Sequence, residues 1–188
     1  EIYMAIKHFY CAPITRVPDH LVFTASVPEG QTIQAGAVLT LEELDATFGA
    51  RNVDVYKGAA PTDIKTQRFG LVINGGFEQL PDGRRPEGQP DYTQYEFKEG
   101  DVVTVVMIDN YVRFEISHDA IKNVTATAKN FLIPVQAEYA LVNNVSHATA
   151  KCYLRVETAG EYLRAGGLFG AEFIKTVIAT GFIGDDVA

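Results

Sequence analysis

The sequence predicts an all-β protein, mainly antiparallel, closed as a β-barrel or stacked as a β-sandwich, with one or two short helices and an extended N-terminal arm. Three observations carry this. Nine Tyr and eleven Phe stand among many Val, Ile and Thr, the residues that fit a pleated, half-buried surface. About ten short apolar runs recur at roughly the 8–12-residue spacing of sandwiches and barrels, divided by Gly, Pro, Asn or Asp. The run Asp101–Ser117 alternates and reads as a hairpin turning at Asp109-Asn110, because both residues tolerate the positive φ of a two-residue turn. That register sets Val105 opposite Phe114 and Val103 opposite Ile116. One face then holds Val103, Val105, Met107, Val112, Phe114 and Ile116. The other sets Thr104 opposite Glu115 and Val106 opposite Arg113. A one-residue slip would bury Arg113 and Glu115.

In chain order, residues 1–20 carry Tyr3, Ile6, Phe9 and Tyr10, then Pro13 and Pro18. Prolines at this spacing break regular elements, so this is an arm that packs on its own core or on a neighbour. Residues 21–188 form the β-rich domain, with a possible division into two lobes near 119–130. Leu21–Val27 is a strand. Gln31–Leu41 is two short strands bent at Ala35-Gly36. Leu41–Leu44 starts a short helix ending before Gly49. Val53–Tyr56 and Arg68–Asn74 are strands. Residues 78–91 hold three prolines, two glycines and six charges, one long surface loop that is either mobile or a contact surface. Phe131–Val135 holds Pro134, which places it at an edge or strand end. Glu138–Val142, Lys151–Glu157 and Phe173–Thr180 read as strands, and 160–170 as a Gly-rich connection. Pro28-Glu29-Gly30 and Lys98-Glu99-Gly100 share a layout, attributed to common turn chemistry rather than to a repeat.

Composition narrows the function. With 188 residues, 47% apolar and 21% charged, the chain can bury a sizeable core. The net charge of −8 repels phosphate backbones and anionic lipid, so neither nucleic acid nor a membrane is an expected partner. Arg84-Arg85 is the one adjacent basic pair. No apolar run is long enough to span a bilayer, and the first residues lack the layout of a signal peptide. Cys11 and Cys152 sit in no CxxC and read as buried free thiols.

No catalytic, cofactor-binding or metal-binding motif stands out, and no enzyme activity or cofactor is expected. The four histidines are scattered, without HxxxH or HExxH spacing. His118-Asp119 is the most suggestive pair, yet neighbours on a strand point to opposite faces. Paired carboxylates of a hydrolase, a third class of function, are a three-dimensional property that spacing does not reveal.

The phrase Gln34-Ala35-Gly36-Ala37-Val38-Leu39, after Val27-Pro28-Glu29-Gly30, resembles a strand turn in small β-barrel decoration (cement) and head-associated proteins of tailed bacteriophages. Phe69–Asn74 followed by Lys98-Glu99-Gly100-Asp101-Val102-Val103 is similar to a second stretch of such proteins. The likeness spans about residues 28–117. It implies a non-enzymatic virion protein, made in the host cytoplasm and bound to the capsid surface. Its partner would be the major capsid protein of a phage head, and its state a homo-oligomer, with a trimer favoured. The expected contacts are Tyr3, Phe9 and Tyr10 of the arm, Arg84 and Arg85 of the loop, and Tyr92 and Tyr95 beside it. Other head, neck or tail roles are alternatives. So is a carbohydrate-binding β module that uses Tyr92 and Tyr95.

Overall fold

The computed structural model describes residues 7–51, 54–74, 94–109, 112–123, 130–161 and 172–180. The strands in chain order are β1 (Cys11–Pro13), β2 (Val22–Ser26), β3 (Thr32–Ile33), β4 (Val38–Leu44), β5 (Val55–Ala59), β6 (Gly70–Val72) and β7 (Phe97–Lys98). They continue with β8 (Val102–Met107), β9 (Arg113–Ser117), β10 (Ile121–Lys122), β11 (Phe131–Pro134), β12 (Leu141–Asn144), β13 (Cys152–Glu161) and β14 (Glu172–Thr180). The all-β expectation holds, and the barrel is the form observed.

Five strands close that barrel in the order β2-β5-β4-β6-β8. All its neighbours are antiparallel except β2 and β5, which run parallel. Alternation along each strand sorts side chains into two cores. Ala25, Leu39, Val72, Val103 and Val105 fill the barrel interior. Their neighbours Val38, Leu71 and Val106 point outward and join Phe114, Ile116, Leu132 and Leu154 in a second core beneath the large sheet. The interior is narrow. A Cβ added to Gly70 would lie 2.5 Å from Val105 Cγ1, and one added to Gly58 would lie 2.7 Å from the Ser26 carbonyl oxygen. Glycine is required at both because atoms of the adjoining barrel strands already occupy that space. Phe23 and Tyr56, from the parallel pair, meet edge to face at 5.5 Å.

The large sheet has seven strands, ordered β1-β9-β14-β13-β11-β12-β10. Its longest pairing, β13 with β14, breaks register between Val156 and Thr158. Pro134 sits at the end of β11, opposite Leu141, where a missing N–H costs least. β3 and β7 form a separate ribbon, Ile33 opposite Phe97. The two similar turns lie side by side at this ribbon. Gly30 and Gly100 both have positive φ, +69° and +90°, and the Gly30 N–H donates to Glu99 Oε2 at 2.9 Å.

The structure overturns the predicted hairpin. β8 pairs with β2 and β6, while β9 pairs with β1 and β14. Residues 108–112 carry the chain from barrel to sheet, with the Ile108 N–H donating to the Phe69 carbonyl at 3.1 Å and the Val112 N–H to the Asp109 carbonyl at 3.3 Å. The reason is hydrophobic. The supposed wet face carries Val106 and Ile108, and a lone hairpin would leave both in water. In the structure both are buried, because β8 lies between the barrel interior and the sheet. Glu115, assigned to solvent, is buried as well, in register with Ala12 and Lys175.

One further expectation changes. Leu41–Leu44 is the end of β4 and not a helix, since Leu41 and Leu44 pair with Gly58 and Tyr56 across a bulge. The helical turn follows as 3-10 at Ala46–Arg51, where the Thr47 N–H donates to Asp45 Oδ1 at 3.0 Å. His118–Ala120 is a 3-10 turn leading into β10.

Candidate interaction surface

The described part of the N-terminal arm is built into the molecule. Between His8 and Cys11 the Ser117 N–H donates to the Tyr10 carbonyl at 2.9 Å and the Asn74 N–H to the Cys11 carbonyl at 3.0 Å, and side chains satisfy further backbone groups of the stretch. Ser117 Oγ donates to the His8 carbonyl at 2.6 Å and accepts from the Tyr10 N–H at 2.9 Å. Asn74 Nδ2 donates to the Phe9 carbonyl at 2.8 Å, and Asn74 Oδ1 accepts from the Cys11 N–H at 3.0 Å. Asp119 Oδ2 accepts from the His8 N–H at 2.8 Å. Tyr10, expected as a partner contact, is therefore a core residue at 2% exposure, because these bonds turn its ring inward.

Phe9 remains half-buried and lines an open groove of about 230 Å3. One wall is Thr32, Ile33 and Gln34 at β3. The other is Asp119, Ala120, Ile121 and Lys122 at β10. Ala35, Ala37, Tyr139 and Ala140 also line it. The Val38 N–H donates to the Tyr139 carbonyl at 3.3 Å and ties β4 to the approach of β12. Burial pushes the Tyr139 phenol up, against a hydrogen bond from the Ala60 backbone. Lys122 is held by Glu138. Sequence reasoning missed this groove apart from Phe9 and the notice taken of Asp119. Its walls come from stretches nearly ninety positions apart, so no local spacing could signal it.

Tyr95 is 50% exposed and meets Phe97 edge to face at 5.0 Å. Phe97 packs on the barrel core, so a rigid base holds Tyr95 at the surface. Tyr3, Arg84, Arg85 and Tyr92, with the whole 78–91 loop, lie outside the described residues.

Elsewhere, Asp45 accepts from Ser26 Oγ at 2.7 Å, and this bond with those from Thr47 holds its carboxyl below the usual range. Glu43 is lowered by its bond to Lys57. Cys11 and Cys152 are free and buried, and burial raises both thiols. Among the described residues no three His, Cys, Asp or Glu side chains gather to hold a metal, and no helix is long and apolar enough to cross a membrane. Comparison with protein-family models, curated proteins and solved structures gave no match.

Proposed function

We propose that this chain is a non-enzymatic structural protein of a phage virion, an oligomer that binds and stabilises the outside of the capsid. One observation carries the reading. The stretches that resemble decoration proteins are far apart in sequence, yet β4, β6 and β8 from those stretches are hydrogen-bonded neighbours. Val38 pairs with Leu71, Leu39 with Gly70, and Val72 with Val105. Of the residues that carry the likeness, Val38 and Leu39, Gly70 to Val72, and Val102 and Val103 stand on adjacent strands of the barrel wall. A protein of this kind stabilises by binding the assembled shell in preference to its loosened state, and many copies multiply modest contacts.

The test is the solution mass of the chain, with and without empty phage shells that lack it. A trimer that co-sediments with shells supports the reading; a monomer that ignores them overturns it. The exposed Tyr95 on its Phe97 base favours carbohydrate binding as a second reading. Silence on a glycan array, with unchanged Tyr fluorescence on adding sugars, would remove that alternative.

A further inference from the structure

The arm from His8 into β1 is an extended segment bonded along both edges. Tyr10 gives its N–H to Ser117 Oγ and takes the Ser117 N–H on its carbonyl, so one edge lies against β9. Cys11 gives its N–H to Asn74 Oδ1 and takes the Asn74 N–H on its carbonyl, so the other edge lies against the chain beyond β6. Successive residues of an extended chain turn their N–H and C=O groups to opposite edges, and the slot meets that alternation residue by residue. Tyr10, Cys11 and Ala12 are buried in it. Its walls, Asn74 on one side and Arg113–Asp119 on the other, belong to the body of the chain. The arm is joined to that body through the connector 14–18.

We infer that this slot is an interaction site for a second copy of the chain, whose residues 8–14 take the place of the resident arm, so that arms pass between copies. The slot selects this occupant, because the segment that satisfies its bonds is the one seated in it. Seating within one copy or between two uses the same hydrogen bonds and the same buried side chains. The connector and the concentration of neighbours therefore decide between them. The connector favours exchange. It runs from Ile14 to Pro18 directly after Pro13, with Ile14 39% exposed and Arg16 exposed. Proline fixes φ, so this short segment has little conformational freedom to lose when it straightens toward a neighbour, and short hinges are where exchange arises. Val17 is buried in the core beneath the large sheet and fixes the point from which the arm departs. The order of synthesis acts in the same direction. Tyr10 precedes Ser117 by 107 positions, so each arm is made well before its own slot and can meet the slot of a finished neighbour. The inference does not rest on the capsid reading.

The test uses the full chain carrying both Ile14→Cys and Arg113→Cys. The Ile14 N–H donates to the Arg113 carbonyl at 2.8 Å. Such a pair sets its Cα atoms about 5.5 Å apart, within the roughly 4.4–6.8 Å that a disulfide spans. Cys11 and Cys152 are buried and do not compete in the folded protein. A short connector gives the resident arm an effective concentration of roughly 1 mM. The protein is therefore unfolded and refolded under reducing conditions from about 10 μM to about 1 mM, then oxidised and run on a denaturing, non-reducing gel. The expected result is covalent oligomers that increase with concentration, in step with a rising solution mass of the unsubstituted chain. Ile14→Cys combined with Val145→Cys, at a position 80% exposed, measures chance collisions. Tyr10→Ala, which removes the buried anchor, should return the unsubstituted assembly to monomers. Cross-linked monomer alone at every concentration, or oligomers no more abundant than in the collision control, would overturn the inference. So would an assembly that Tyr10→Ala leaves intact. No shells are present, so either result leaves the capsid reading to its own test.

Discussion

Gly70→Ala tests the claim that the barrel interior is full. The new Cβ would stand 2.5 Å from Val105 Cγ1, 2.9 Å from the Val106 carbonyl oxygen and 3.0 Å from Met107 Sδ. The methionine can move aside. The backbone oxygen belongs to the β6–β8 ladder, and a β-branched valine has few rotamers to choose from. Overpacking of this kind costs about 1–3 kcal/mol. Replacing Gly restricts the unfolded chain and returns about 0.4–1 kcal/mol. The net loss is then about 1–2 kcal/mol. For a chain of this length each kcal/mol moves Tm by about 2–4 °C, so a fall of about 2–8 °C is expected. Urea unfolding followed by far-UV circular dichroism should show a lower midpoint with an unchanged m value. The decisive measurement is a double-mutant cycle with Val105→Ala, which removes the nearest atom. The Gly70→Ala penalty should shrink by about 0.5–1 kcal/mol in that background. Gly100→Ala serves as the control: its Cβ meets nothing within 4 Å, so its cost comes from positive φ and does not couple to Val105. A neutral or stabilising Gly70→Ala, or one equally costly in both backgrounds, would show that the interior has room to spare.

Asn74→Ala removes the acceptor of the Cys11 N–H and the donor to the Phe9 carbonyl. It should cost about 2–3 kcal/mol and speed hydrogen exchange at Cys11, and unchanged exchange there would count against the stitching role. The thiols give an alkaline signature. Their folded pKa values are raised, so the unfolded chain releases these protons first, and stability should fall as pH rises above about 8.5. Cys11→Ala should reduce that slope, and rapid reaction of either thiol with a thiol reagent in the folded protein would contradict the burial. Asp45 acts in the opposite direction. Its folded pKa is depressed, so its contribution is present above the ordinary carboxylate pKa of about 3.9 and is lost as pH falls below it. Asp45→Asn should flatten the acid limb of a stability–pH profile; an unaltered limb would argue against it.

The β class was legible because strand periodicity and turn chemistry are local. The Ala35-Gly36 bend, the Pro134 strand end and the Gly30 and Gly100 turns all appear where their residues placed them. Pairing was not legible. Asp109-Asn110 has good hairpin chemistry, yet β8 finds a better solution in two barrel neighbours because Val106 and Ile108 also need cover. Leu41–Leu44 looked helical by its glutamates, but register with Gly58 and Tyr56 decided it. The arm was split the same way. Aromatic content said that Phe9 and Tyr10 must pack somewhere, but only Ser117 and Asn74, distant in sequence, decide which one goes inside. The groove is wholly a product of long-range placement.

The chain's route through the two layers sets an order of assembly. Every barrel strand lies between Val22 and Met107, so during synthesis the barrel's sequence is complete before β9 is made. β1, by contrast, waits for a partner about a hundred residues downstream, Cys11 opposite Ile116, and long closures of this kind form slowly. Until β9 arrives, the outward side chains Val38, Leu71 and Val106 have no sheet to cover them. That interval is when a nascent chain is most exposed to aggregation. Pulse-labelled exchange during refolding should protect the amides of β2 and β8 before that of Ile14, whose N–H donates to the Arg113 carbonyl of β9 at 2.8 Å, and simultaneous protection would mean that barrel and sheet form as one unit.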